Sequence, residues 1–302
     1  MKKEKQKNNL IVIIGPTATG KSDIAIELAK QFNGEIISAD SRQIYKGLDI
    51  GSGKVTKQEQ KQTKHHLLDI ISPKKQYTVA EYQKLAYKKL KQIWNKNKTP
   101  IICGGSPLYI ISILEGWQFP KTKTNIKLRK RLESKSLEYL ANLLKIKDPE
   151  RFQTIEQKNK RRIIRALEII FLNGKVTPLK KNPIKAKILI LSTQKTKEEL
   201  KQLIKSRLDR RLDQGMLEEV KKLKKQRISS QRLNDFGLEY RYLNQYLDKK
   251  ISYTEMYDTL LKKIIDFSKR QITWFKKFPN IKYINNPEEA MNLTKSFFSS
   301  LE

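Results

Sequence analysis

Two groups of residues near the start of this 302-residue chain could do chemistry together, a phosphate cradle and a carboxylate that follows it. Gly15-Pro16-Thr17-Ala18-Thr19-Gly20-Lys21-Ser22 has the spacing G-x-x-x-x-G-K-[ST], in which backbone N–H groups and a helix N-terminus converge on phosphate oxygens. Gly15 and Gly20 permit close approach of the backbone, Lys21 supplies a point charge, and the Ser22 hydroxyl can ligate Mg²⁺. A di- or triphosphate compound is the expected ligand; an unoccupied strand-to-helix turn is the alternative. Asp40-Ser41-Arg42-Gln43 then follows an apolar run, which puts a carboxylate where ligands of open α/β sheets collect. His65 and His66 invite a metal reading, but neighbours on a strand point to opposite faces, so packing or substrate contact is the expectation there.

These residues need elements to hold them. Leu10 to Ile14 reads as a strand feeding the glycine loop, and Asp23 to Gln31 as the helix leaving it. Glu35 to Ala39 is a second strand delivering Asp40. Ile50-Gly51-Ser52-Gly53-Lys54 is a glycine-interrupted loop, and Lys64 to Ile70 a short apolar segment. Tyr77 to Asn95 carries Val79, Tyr82, Leu85, Ala86, Leu90, Ile93 and Trp94 at helical spacing, a covering helix. Thr99 to Cys103 reads as a buried parallel strand ending in Gly104-Gly105-Ser106. Many P-loop NTPases carry a metal-binding Asp at that point; here the acidic residue is Asp40 instead.

Beyond Pro120 the chain becomes charged and helix-patterned, from Lys127 to about Leu172. Arg161 and Arg165 are four apart on one helix face with Arg162 beside them, a face that suits a phosphate backbone and equally a solvated surface. Lys187 to Leu191 returns to strand character. Glu198 to Leu223 is helical, with Arg207, Arg210 and Arg211 spaced as a lid or clamp requires. Within Asn234 to Leu247, Phe236, Tyr240, Tyr242 and Tyr246 interleave with Arg232 and Arg241, fitting base stacking and core packing alike. Tyr253 to Phe278 is a closing helix and Ile281 to Ile284 a last strand. The expected fold is α/β, a P-loop kinase-like parallel sheet flanked by helices, with a mostly helical substrate-binding portion. The expected core is 1–118, with 161–205 and 262–302 returning to it; 119–160 and 206–261 form the helical portion.

Lys+Arg 64 against Asp+Glu 31 gives a net charge of +33, which points to a polyanionic partner, although a lysine-rich composition alone accounts for part of it. One cysteine, Cys103, excludes an internal disulfide and any Cys/His metal cluster. Met1 to Asn9 is basic, but only five apolar residues follow, too few for a signal peptide or a membrane span. A monomeric cytoplasmic enzyme with no membrane attachment is the expectation.

Taken together, several motifs resemble the bacterial-type tRNA dimethylallyltransferase family. They are the loop Gly15 to Ser22, the stretch Ser38 to Gly51, His66-Leu67-Leu68-Asp69-Ile70, Gly104-Gly105-Ser106-Pro107-Leu108-Tyr109, Arg162 to Glu168 and Lys269-Arg270-Gln271-Ile272-Thr273-Trp274. The resemblance runs in order from about Leu10 to Phe278 and is most specific after Asp40 and at Lys269 to Trp274. It implies transfer of a dimethylallyl group from dimethylallyl diphosphate to the N6 amine of the adenine 3′ to the anticodon. Gly15, Pro16, Thr17, Ala18, Thr19, Gly20, Lys21 and Ser22 would hold the diphosphate, with Lys21 and Arg207 neutralising the leaving group and Ser22 holding Mg²⁺. Asp40 would be the general base. The anticodon stem-loop of tRNA would meet Asp40, Ser41, Arg42, Gln43, Ser106, Arg161, Arg162, Arg165 and the segment Phe236 to Arg241, Tyr240 and Arg241 included.

This chain departs from the family at a few points. Ser106 stands where the family usually has Thr, and Glu239-Tyr240-Arg241-Tyr242 where many members have Gly-Tyr-Arg-Gln. A single cysteine leaves no place for the zinc finger of eukaryotic relatives. The competing readings are a P-loop small-molecule kinase, an adenylate isopentenyltransferase acting on free AMP, and a P-loop nucleic-acid-binding protein without transfer chemistry.

Overall fold

Leu10 to Ile14 are apolar at every position, the pattern of a strand covered on both faces, and all five are buried. The computed structural model describes residues 8–119, 125–174, 176 and 179–300. In chain order it begins β1 (Asn9–Ile14), α1 (Lys21–Gln31), β2 (Gly34–Ser38), α2 (Lys57–Gln62), β3 (His65–His66), α3 (Val79–Trp94), β4 (Thr99–Cys103) and α4 (Pro107–Leu114). Next come α5 (Ile126–Glu133), α6 (Leu137–Lys147), α7 (Pro149–Thr154) and α8 (Lys160–Asn173). The remainder is β5 (Lys187–Thr193), α9 (Lys197–Asp213), α10 (Met216–Lys225), α11 (Ser230–Phe236), α12 (Leu238–Leu247), α13 (Tyr253–Phe275), β6 (Ile281–Ile284) and α14 (Pro287–Ser299).

The six strands form one parallel sheet in the order β3-β2-β4-β1-β5-β6. Alternation along β1 divides the core: Leu10, Val12 and Ile14 pack with Tyr82, Leu90 and Ile110, while Ile11 and Ile13 pack with Ile24, Leu28 and Ala290. β4 and β2 lie to one side of β1 and β5 to the other, so the loop after β1 leaves the sheet where the strand order changes direction, the place where such folds bind ligands. The expected strands are present, with ends shifted by a residue or two, and Lys64 to Ile70 contributes only the two residues of β3. The expected helix Glu198 to Leu223 is two helices, broken at Gly215 with φ 93°. Helices α2, α4 and α14 are additional to the expected elements.

The chain divides into two compact units, one running to Glu115 and resuming at Pro183, the other Gly116–Asn182. This division differs from the boundaries expected above. Residues 206–261 belong to the first unit, because Leu208, Val220, Leu233 and Leu243 share a core with Ile44 and Leu48 from the β2–β3 connection and with Ile264 of α13. Helix α8 belongs to the second, because Ile163, Ile164 and Leu167 pack on Leu140 and Leu144 of α6. In that unit Glu168 is fully buried and receives both Nε and Nη2 of Arg129, at 2.7 and 2.6 Å, the paired geometry a buried carboxylate needs.

Candidate active site

Helix α1 starts directly after Gly20, which takes the left-handed conformation (φ 75°), and no side chain caps it. Its first N–H groups are therefore presented toward the loop, a ready anion site. The cradle is braced from below. Gly15 sits against Thr193 at the end of β5, where a Cβ would stand 2.1 Å from Oγ1. Thr193 and Thr19 pair their hydroxyls at 2.6 Å, and Thr19 Oγ1 also reaches Pro16 O at 2.9 Å. Thr17 N–H donates to Gln271 Oε1 at 2.9 Å, and Gln271 Nε2 donates to Gly105 O at 2.8 Å. Helix α13 thus ties the phosphate loop to the glycine turn after β4.

That turn and the end of β2 meet backbone to backbone. A Cβ on Gly104 would lie 2.3 Å from Ala39 O, so only glycine lets β4 approach the residue preceding Asp40. Asp40 Oδ1 accepts the Arg42 N–H at 2.8 Å, and Ser41 N–H donates to Ser106 Oγ at 3.1 Å. Gln43 is an internal brace, accepting from Ser38 Oγ at 2.9 Å and donating to Gly53 O at 3.0 Å.

Thr17 to Ser22, Asp40 to Gln43, Ser106, Arg207 and Arg241 all line one cavity of about 1180 Å³. Its positive charge is crowded and desolvated. Burial pushes the Lys21 ammonium down to about 8, with Arg207 adding to the effect. Burial and then the neighbouring Arg211 bring Arg207 down to about 9, and burial likewise lowers Arg211. Lys21 Nζ donates to Pro16 O at 2.5 Å, Arg207 Nη2 to Thr17 Oγ1, and Arg211 has Glu239 at 3.8 Å. Three cations held this far from water favour a polyanion between them.

The sequence expectation for Tyr240 is corrected here. Tyr240 is 1% exposed, its ring packed in the α9–α13 core and its hydroxyl donated to Glu219 at 2.8 Å, so it offers no stacking surface to a base. Phe236 is buried with it, 5.1 Å from the Tyr45 ring. Arg241 does reach the cavity and also donates to Asn234 O at 3.1 Å. Arg161, Arg162 and Arg165 are carried by α8 in the second unit, where Arg162 pairs with Glu156 at 3.2 Å and Arg165 with Glu168 at 3.3 Å. The histidines pack, as expected. His66 is buried with Nε2 2.7 Å from Glu35, and His65 Nδ1 lies 3.0 Å from Thr63 O.

Among the described residues no cluster of three or more His, Cys, Asp or Glu could hold a metal unaided. Ser22 lines the cavity, and a P-loop hydroxyl together with substrate phosphate oxygens and water is a donor set that fits Mg²⁺. No helix among the described residues is long and apolar enough to cross a membrane. Sequence reasoning gave no role to Gln271 or to Glu219, which braces the loop at Asp49 to Gly51, and offered Arg211 only as part of a lid or clamp with Arg207 and Arg210. Gln271 stands in the Lys269 to Trp274 motif, and Arg211 one turn beyond Arg207, so a signal was present for both; Glu219 carried none.

A parallel sheet with a glycine loop between a central strand and the first helix is an α/β fold of the P-loop-like class. Residues 43–278 match the family model described as IPP transferase. A tRNA dimethylallyltransferase from Acetivibrio thermocellus is 38% identical over 290 residues, covering 93% of each chain. Another from Shewanella sediminis, tRNA dimethylallyltransferase 2, is 40% identical over 273 residues, covering 89% of each. Among solved structures, the full-length tRNA isopentenylpyrophosphate transferase from Bacillus halodurans superposes with a TM-score of 0.73 at 31% identity, covering 97% of this chain and 96% of that one. The chain belongs to the IPP transferase family.

Proposed function

We propose that this protein is a tRNA dimethylallyltransferase, moving a dimethylallyl group from dimethylallyl diphosphate to the N6 amine of the adenine 3′ to the anticodon. The observation that carries the reading is the shared cavity, in which the desolvated Lys21, Arg207 and Arg211 stand beside the strand-end carboxylate Asp40. The cations suit the diphosphate, whose charge grows as the allylic C–O bond breaks and pyrophosphate leaves. The incoming amine gains a bond to carbon and must lose a proton, for which the cavity-lining carboxylate of Asp40 is the acceptor in this reading. Magnesium bound through Ser22 would add charge stabilisation on the departing oxygens. To bring its N6 amine to Asp40 inside the cavity the adenine must leave its stack, and basic residues, Arg42 and Arg241 at the cavity and those of α8, suit the RNA backbone. The protein is expected to work as a cytoplasmic monomer.

The test is nucleoside analysis of an unmodified tRNA with consecutive adenines 3′ to its anticodon, after incubation with protein, Mg²⁺ and either dimethylallyl diphosphate or ATP. Isopentenyladenosine from the first donor alone is the expected result. Its absence with folded protein refutes the proposal, and product on free AMP instead of tRNA identifies an adenylate enzyme.

A further inference from the structure

We infer that Glu219 is a positioning residue for the diphosphate end of the donor, acting through the loop Asp49 to Gly53 and the Arg211 guanidinium; this rests on the function proposed above. Glu219, on α10, receives four donors from two other parts of the fold. Its Oε2 accepts the N–H of Asp49 at 2.8 Å and of Ile50 at 2.7 Å. Its Oε1 accepts the N–H of Gly51 at 3.0 Å and the Tyr240 hydroxyl at 2.8 Å. Three consecutive backbone donors on one carboxylate fix both the position and the path of the loop.

The loop is in turn the seat of a cation. Gly53 has φ 62°, and a Cβ there would stand 1.5 Å from Arg211 Nη2, so the guanidinium rests directly on the glycine backbone. Gly51 makes the equivalent allowance for Tyr240, whose Cζ would be 2.8 Å from a Cβ. Arg211 is 8% exposed and lines the cavity with Arg207 and the phosphate loop. The weak 3.8 Å approach of Glu239 does not hold it alone. Its place is therefore set by the loop beneath it, and the loop's place by Glu219.

Glu219→Gln exchanges one acceptor oxygen for an amide N–H₂ that faces two donors, so the loop loses part of its anchorage. The expected result is a rise of about tenfold in KM for dimethylallyl diphosphate and in Kd for inorganic pyrophosphate, with kcat within about threefold and KM for tRNA unchanged. Arg211→Lys combined with Glu219→Gln is expected to be no worse than the more severe single variant, since both act through one guanidinium. Glu218→Gln, at the neighbouring exposed carboxylate, is expected to match the wild type. A folded Glu219→Gln with unchanged pyrophosphate affinity, equal losses for tRNA and donor, or an additive double variant would overturn the assignment. Should Glu219→Gln fail to fold, Tyr240→Phe removes one donor and keeps the ring; it is expected to weaken pyrophosphate about two- to threefold, and no change overturns the inference. Pyrophosphate binding needs no transfer step, so a wild-type protein that does not prenylate tRNA defeats the proposed function without deciding the role of Glu219.

Discussion

Asp40 is held in place by its neighbours in the backbone. The carboxylate follows the last residues of β2, and its Oδ1 is held by the Arg42 N–H at 2.8 Å, while Gly104 packs on the residue before it. A positioned general base, the role proposed for Asp40, contributes about two to four orders of magnitude to turnover. Asp40→Ala is therefore expected to cut kcat by that factor while tRNA affinity, measured by filter binding, stays within about twofold. An unchanged kcat would remove Asp40 from the chemistry. At this scale the sequence was legible where position depends on local spacing, since Thr17 to Ser22 and Asp40 do line one cavity. It was ambiguous at Tyr240, because a residue at helical spacing looks the same whether its ring meets a base or a core, and only the position of α12 against Ile44, Leu48 and Met256 decides.

Elements, in contrast, are held by pairings between segments far apart in the chain, and this is where sequence reading reaches its limit. The strands were legible because a parallel sheet buried on both faces leaves continuous apolar runs. Gln271 to Thr17 and Glu219 to Gly51 span 254 and 168 positions, and no local pattern marks such bonds. The shortest strand, β3, shows the same dependence. Its His66 bonds to the buried Glu35 of β2, and because a carboxylate can only accept, Nε2 carries the proton. Burial would raise the Glu35 pKa, but the bonds from His66 and Lys98 outweigh it and hold the group down to about 2, from 4.5. Burial also lowers His66, against the pull of Glu35. Both shifts act in one direction, since the unfolded chain takes up each proton before the folded one does. The stabilisation from Glu35 is complete above pH 4.5 and is lost as pH falls toward 2, with about 2 kcal/mol gone by pH 3. Chemical denaturation of wild type and Glu35→Gln at pH 6 and pH 3 measures this: the gap between them is expected to narrow by about that amount. A constant gap would mean the pair does not control the edge of the sheet.

Across the whole molecule the dominant property is the charge of +33, and whether it serves RNA or merely solvates the surface is decided by how binding responds to salt. Each phosphate neutralised by Lys or Arg releases counterions, so affinity falls along a line in log salt whose slope counts the contacts, about 0.7 to 0.9 per phosphate. Arg162 is a discriminating residue. Its pair with Glu156 is 3.2 Å long with both side chains 56% exposed, an arrangement that contributes little to stability and leaves the guanidinium able to exchange partners at small cost. Arg162→Ala is therefore expected to leave the fold and the KM for dimethylallyl diphosphate unchanged, weaken tRNA binding, and reduce the salt slope by about one contact. Replacing a surface lysine outside the proposed RNA contacts, such as Lys30 on α1, which bonds Gln62 at 2.7 Å, should lower the net charge by the same unit and leave the slope unaltered. If Lys30→Ala and Arg162→Ala shift the slope equally, the charge acts as a diffuse field, and α8 is only a solvated helix. If Arg162→Ala alone shifts it, α8 carries a specific share of the RNA contact, and the second unit has a role in substrate capture that its small core of its own could not have indicated.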